Sequence, residues 1–222
     1  MLSASACRFW QPSPATDSSP TPPLAVEEIK SSVPFATKEP EIFQTEIVVT
    51  SGGAENKIFI ARSGANRLTI FDFQTPSEFA LLQTAADTSF LIAERQKIYA
   101  ESLLTNADDQ GETLPSAELL NEMPSATFET LDAEDGLRKY LVRLNESGAA
   151  EIVVTVDPQI NLPVKQEFYS GAGEQKTLLS ATELKNFTLQ TDAANFTVPS
   201  DYKKVSAVEF QKIVRGERFK EK

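Results

Sequence analysis

The chain has no histidine, one cysteine (Cys7) and one tryptophan in 222 residues. Without imidazole it can build neither a Ser-His-Asp nor a Cys-His catalytic pair, and no histidine can ligate a metal. A lone cysteine forms neither an internal disulfide nor a Cys-rich zinc site. Long apolar runs are missing too, none approaching the ~18 residues that a membrane helix needs. Positive charge is scarce: 21 Lys and Arg stand against 32 Asp and Glu, a net charge of -11, which argues against general binding to nucleic-acid phosphates. Charged residues make up 24% of the chain, close to the ~25% of ordinary globular domains. What remains is a protein able to fold around a core, with no catalytic group, cofactor or metal site announced.

What is present is distributed unevenly. Seven of the 13 prolines fall in residues 1–40, and Gln11 to Pro23 reads QPSPATDSSPTPP. Such a stretch cannot bury enough apolar surface to offset its ordering entropy, so residues 1–40 are expected to be a disordered tail and tether. Residues 41–222 are then a single domain. Ahead of the tether, Ala4-Ser5-Ala6-Cys7 resembles the end of a bacterial lipoprotein signal, in which the cysteine becomes the lipidated N-terminus. Only six residues precede Cys7, too few for an export stretch. A lipidated Cys7 therefore requires a start upstream of Met1; the alternative is a free cysteine in the tail.

From Glu41 onward, β-branched and aromatic runs alternate with turn residues. Strands are expected at residues 42–51, 57–63, 67–73, 78–84, 89–94 and 97–102, an antiparallel meander. Further strands are expected at 126–132, 139–145, 151–157, 163–170 and 176–191, the last long enough to bend or bulge. Pro115 to Met123, stopped by Pro124, has the spacing of a short helix. A terminal helix is expected over Val205 to Phe219, broken or frayed at Gly216. Its surroundings are basic, residues 203–222 carrying seven Lys or Arg and three Glu.

Two late motifs narrow the reading. Asp157 to Lys165 has the form DPxxxLPVK, a tight turn between strands whose prolines donate no ladder bonds. Asn195 to Tyr202 contains FxVPxxY after a long final strand. With KIFIARSGANRLTI and SFLIAERQKIYAE before them, these resemble the superfamily of periplasmic lipoprotein carriers, lipid-binding lipoproteins and envelope-stress regulators (LolA-like, LppX-like and RseB-like proteins) over roughly residues 41–205. The resemblance implies a mainly β fold: a strongly curved antiparallel sheet, an open half-barrel, with short helices as a lid over its concave face. It also implies a location in the bacterial cell envelope, in the periplasm or anchored to a membrane through Cys7. The expected partner is a lipid or a lipoprotein acyl chain in the concavity; the alternative is a non-catalytic interaction or stress-sensing module that binds a partner protein. Carriers of the family latch the lid with a basic residue on the sheet, for which Arg62 and Arg67 are both available.

Residues two apart in a strand share a face. On that rule Phe43, Ile47 and Val49 point inward on the first strand, followed by Ile58, Ile60, Leu68, Ile70, Phe79, Leu81, Phe90 and Ile92; all are core or ligand-cavity candidates. A one-residue slip reverses any strand. Leu119, Leu120 and Met123 are the lid candidates. The carboxylates Asp108, Asp109 and Glu112 lack calcium-loop order, and Glu134-Asp135 are neighbours on a turn rather than acids opposed across a cleft. The triplets at Asn145, Asn186 and Asn195 would be glycan acceptors only in a eukaryotic secretory pathway.

Overall fold

A computed structural model describes residues 33–102, 114, 126–132, 135–143, 150–171 and 176–218. Twelve strands form one antiparallel-dominated sheet: β1 (Ile42–Ser51), β2 (Ala54–Ser63), β3 (Asn66–Phe71), β4 (Phe79–Gln83), β5 (Ser89–Ala93), β6 (Ile98–Ser102), β7 (Thr127–Leu131), β8 (Arg138–Arg143), β9 (Ala150–Asp157), β10 (Leu162–Ser170), β11 (Thr177–Thr188) and β12 (Lys203–Lys204). Their order is β12-β6-β5-β4-β3-β2-β1-β11-β10-β9-β8-β7. Two meanders, β1 to β6 and β7 to β11, are therefore fused where β1 pairs with β11. The ends do not pair with each other, so the curved sheet stays open. Among the described residues there is one α-helix, α1 (Ala207–Arg218), which runs through Gly216 without the expected break. One Gly in a helix costs only about 1 kcal/mol, and this helix is held by its packing.

Local chemistry sets the register. Ser51 pairs with Ala54 around Gly52 and Gly53, both at positive φ (58° and 81°), the two-residue hairpin that suits the twist of a sheet. The DPxxxLPVK segment is the β9–β10 connection, as expected, with Asp157 Oδ1 accepting from the Gln159 N–H at 2.8 Å. Pro163 is fully buried, and the β9–β10 ladder shifts register between Pro163 and Lys165, since a proline cannot donate across a central ladder. The long β11 also departs from regularity, with a register shift opposite Gln44/Glu46 of β1 and another opposite Phe168/Tyr169 of β10.

Both ends of the folded chain are tied to this sheet. Residues 33–40, assigned above to the tail by composition, pack onto it: Phe35 and Glu39 are buried. The Ala36 N–H donates to the Asn161 carbonyl at 2.8 Å. Proline richness marks an extended chain, not an unattached one. Phe35 meets the rings of Phe128 on β7 and Tyr140 on β8, while Glu39 reaches Arg62 on β2 and Arg67 on β3. In a flat sheet β7 and β3 would lie seven strand spacings, ~34 Å, apart, whereas four extended residues span at most ~14 Å. The sheet curls around this segment, so the face carrying Phe35 is the concave one. At the other end the chain leaves β11 on the convex face, passes the β6 edge as β12, and returns as α1 on the concave face. There Phe210, Ile213 and Val214 pack with Ala93, Ile98 and Ala100.

Candidate functional site

Directly opposed residues of neighbouring strands share a face, which places every cavity candidate. Thr45 opposes Ile60, Ile60 opposes Thr69, Thr69 opposes Leu81 and Leu81 opposes Leu91. Phe43, Ile47, Val49, Ile58, Ile60, Phe79 and Leu81 therefore belong to the concave face. Leu68, Ile70, Phe90 and Ile92 belong to the convex face, so the expectation of a single inward set is corrected for these four. The cause is physical: β3 and β5 are apolar on both sides, and the concave positions went to Thr69, Leu91 and Ala93 instead. Cys7, Leu119, Leu120 and Met123 lie outside the described residues, as do Asp108, Asp109, Glu112 and Glu134.

On the concave face an apolar patch lies across β1, β2 and β11. Phe43, Ile47, Ile60 and Leu114 are buried, and Val49, Ile58, Leu184 and Phe187 beside them are only partly covered. Phe43 and Phe187 stack with centroids 5.8 Å apart and planes 12° from parallel. Thr45, within this patch, is satisfied by donating to the Lys185 carbonyl at 3.0 Å.

A charged cluster bounds the patch. Arg62 and Arg67 oppose each other across β2 and β3 and would repel if left alone. The fully buried carboxylate of Glu39 sits between them: Oε2 accepts from Arg62 Nη1 at 3.3 Å and from Arg67 Nη2, while Oε1 accepts from the Leu114 N–H at 2.7 Å. Both basic residues considered as latches thus converge on an acid from the N-terminal segment. That acid holds Leu114, the residue just before the expected lid helix. Sequence reasoning missed Glu39, because one acid between Lys38 and Pro40 carries no periodic signal.

The convex face is covered by the FxVPxxY segment. Asp192 caps a 3₁₀ turn (Ala193–Phe196) by accepting from the Ala194 N–H at 2.9 Å. Phe196, Val198 and Tyr202, the apolar positions of the motif, pack against Ala61, Leu68, Ala80, Leu82 and Ile92. Lys97 Nζ and Asp201 Oδ2, 2.7 Å apart, close the far end. That hydrogen bond raises the Lys97 pKa and lowers that of Asp201. Between segment and sheet remains a cavity of about 230 Å³, floored by Leu68, Ile70, Ala80 and Ile92 and walled by Pro199 and Tyr202, with Glu78 and Glu94 also lining it. The Tyr202 phenol is pushed up first by burial and then by the negative charge of Glu94 and Asp201, with Lys97 opposing. Among the described residues no group of three or more His, Cys, Asp or Glu could hold a metal ion, and no helix is long and apolar enough to cross a membrane.

No family model and no curated protein matches the chain. Solved structures do show similarity. MucB of Pseudomonas aeruginosa, determined in complex with MucA, is 13% identical with a TM-score of 0.39, over 74% of this chain and 58% of that one. The chain thus spans less than two thirds of the MucB structures it matches. An uncharacterized conserved protein from Thermus thermophilus is 12% identical with a TM-score of 0.43, over 74% of this chain and 89% of that one. A domain assigned to outer-membrane lipoprotein sorting from Vibrio parahaemolyticus is 17% identical with a TM-score of 0.28, over 72% and 92%.

Proposed function

We propose that this protein is a non-catalytic binding protein of the bacterial cell envelope, exported or anchored through Cys7, that holds a lipid or a lipoprotein acyl chain against its concave face. The observation that carries this reading is the apolar patch of an unclosed sheet, where Val49, Ile58, Leu184 and Phe187 keep accessible surface beside the buried Phe43, Ile47 and Ile60. The motif resemblance supports it independently. Such a ligand is held by area alone: at about 0.8 kcal/mol per methylene, ten methylenes contribute about 8 kcal/mol before the cost of capture. A histidine-free chain is at no disadvantage in this task.

The test is native mass spectrometry of the full chain, exported in a bacterial host and purified without detergent. Retained phospholipid or acylated peptide, released on partial denaturation, is the expected result and identifies the ligand class. A clean apo mass that persists after lipid is added overturns the acyl-chain reading in favour of an interaction module that binds a partner protein.

A further inference from the structure

The N-terminal segment that crosses the concavity has the chemistry of a ligand. Thr182 of β11 shares the face of Leu184; it opposes Gln166, Gln166 opposes Val154 and Val154 opposes Tyr140, so Tyr140 and Val154 lie on the same concave face as the apolar patch. Phe35, 5% exposed, packs there in one cluster with Tyr140, Val142 and Val154. Four residues on, Glu39 puts its carboxylate among three donors: Arg62 Nη1 at 3.3 Å, Arg67 Nη2, and the Leu114 N–H at 2.7 Å. Phe43 directly opposes Arg62 across β1 and β2, which sets these donors one residue pair, ~5 Å, from the apolar patch. Residues 33–40 nevertheless belong to no strand or helix. Besides Phe35 and Glu39, their contacts with the sheet include the Ala36 N–H on the Asn161 carbonyl at 2.8 Å.

We propose that residues 33–40 are an intramolecular competitor for the concave face, and that the ligand which displaces them is an acyl chain ending in a carboxylate. The inference rests on the acyl-chain reading and specifies its head group. Charge balance carries it. Arg62 and Arg67 oppose each other across β2 and β3, and the Glu39 side chain between them is fully buried; Glu41, with its side chain 80% exposed, approaches Arg62 only at 3.9 Å. A neutral chain that took over this path would leave the two guanidinium groups face to face, and a cationic one would add a third positive charge. A carboxylate restores both the charge and the charge-assisted hydrogen bonds that Glu39 gives up, while the chain replaces the apolar cover of Phe35. The resident carboxylate is tethered and so acts at high effective concentration; the ligand wins on the area of its acyl chain.

Isothermal titration calorimetry of the full chain at neutral pH tests it, with decanoate, decanol and decylammonium as probes. Decanoate is expected to bind about tenfold more tightly than decanol, and decylammonium most weakly. Glu39→Gln weakens the competitor and should tighten decanoate about three- to tenfold. Arg67→Gln should bring decanoate down to the level of decanol; a ratio of two probes on one variant is insensitive to a general loss of stability, and the melting temperature serves as a fold control for both variants. Displacement is read separately by hydrogen exchange: the Ala36 amide should lose protection when decanoate is added, while the β2 amides keep theirs. Equal binding of decanoate and decanol overturns the head-group assignment and leaves the acyl-chain reading standing, whereas binding of none of the three probes overturns both. Unchanged decanoate affinity in folded Glu39→Gln, or an Ala36 amide that stays protected at saturating decanoate, overturns the competitor.

Discussion

Replacing Glu39 with alanine is the sharpest probe of the concave face. Its side chain is fully buried, and those of Arg67 and Arg62 are 11% and 24% exposed. Truncation leaves two guanidinium groups opposed across β2 and β3 and strips the Leu114 N–H of its acceptor. Breaking a buried ion pair costs 3–5 kcal/mol, and because water screens part of Arg62 the lower figure, about 3 kcal/mol, applies. With a urea m-value of about 2 kcal/mol/M, the unfolding midpoint should fall by about 1.5 M. Glu39→Gln keeps an oxygen for Leu114 and should lose less. Arg67→Ala in the Glu39→Ala background should cost less than in the wild type, since it removes one of the two opposed like charges, giving a coupling energy of at least about 1 kcal/mol. A Glu39→Ala midpoint within about 0.25 M of wild type, or strict additivity of the two changes, would refute the reasoning.

Phe196→Ala removes the half-buried ring at the head of the convex-face segment. It should cost about 2 kcal/mol, below the 3–5 of a fully buried phenylalanine, seen as a melting temperature about 4–8 °C lower. The Lys97–Asp201 pair makes a pH prediction. Asp201 is depressed, so its contribution is present above the ordinary aspartate value and is lost as pH falls through its lower folded value; Lys97 is raised, so its contribution is lost only as pH rises through its higher folded value. Carbon-detected titration should place the Asp201 midpoint below the ordinary value, and a midpoint at or above it contradicts the contact. In the mass-spectrometric assay, Ile58→Asp should abolish retained ligand while leaving the circular dichroism unchanged, and Leu120→Asp should do so if the segment after Leu114 closes over the patch. Full retention in Ile58→Asp removes the patch from the ligand path.

The β meander was legible because turn chemistry punctuates it. Gly52-Gly53, Gly64-Ala65 and Asp157-Pro158 lie at connections in the structure, and strand limits agree to within a few residues. The joining of the two meanders through β1 and β11 was not legible, because no local signal says which distant strand an edge will accept. Face assignment held on β1 and β2, where Gln44, Glu46 and Lys57 mark the opposite face as polar, and failed on β3 and β5. RLTIF and SFLIA offer apolar residues to both sides, and the convex face there is covered by Phe196, Val198 and Tyr202 from far along the chain. The FxVPxxY motif was recognised as a motif, but its physical role as the cover of that convex face emerged only from the packing. Glu39 was invisible for the same reason as the β1–β11 pairing: its partners are set by tertiary structure alone.

The joint between the two meanders also dictates an order of events in folding. Every other antiparallel pairing in the sheet closes over a short stretch of chain, but Thr45 meets Lys185 across 140 residues. Loop closure makes such a contact slow compared with hairpins, so β1 to β6 can zip together while the outer edge of β1 waits. Until Thr188 is available to pair with Gln44, the segment IFQTEIVVTS presents an unpaired, β-branched edge of the kind that recruits other strands. The newly made chain is thus most exposed to self-association in the interval between completing its sixth strand and its eleventh, and a factor that shields that edge would act there.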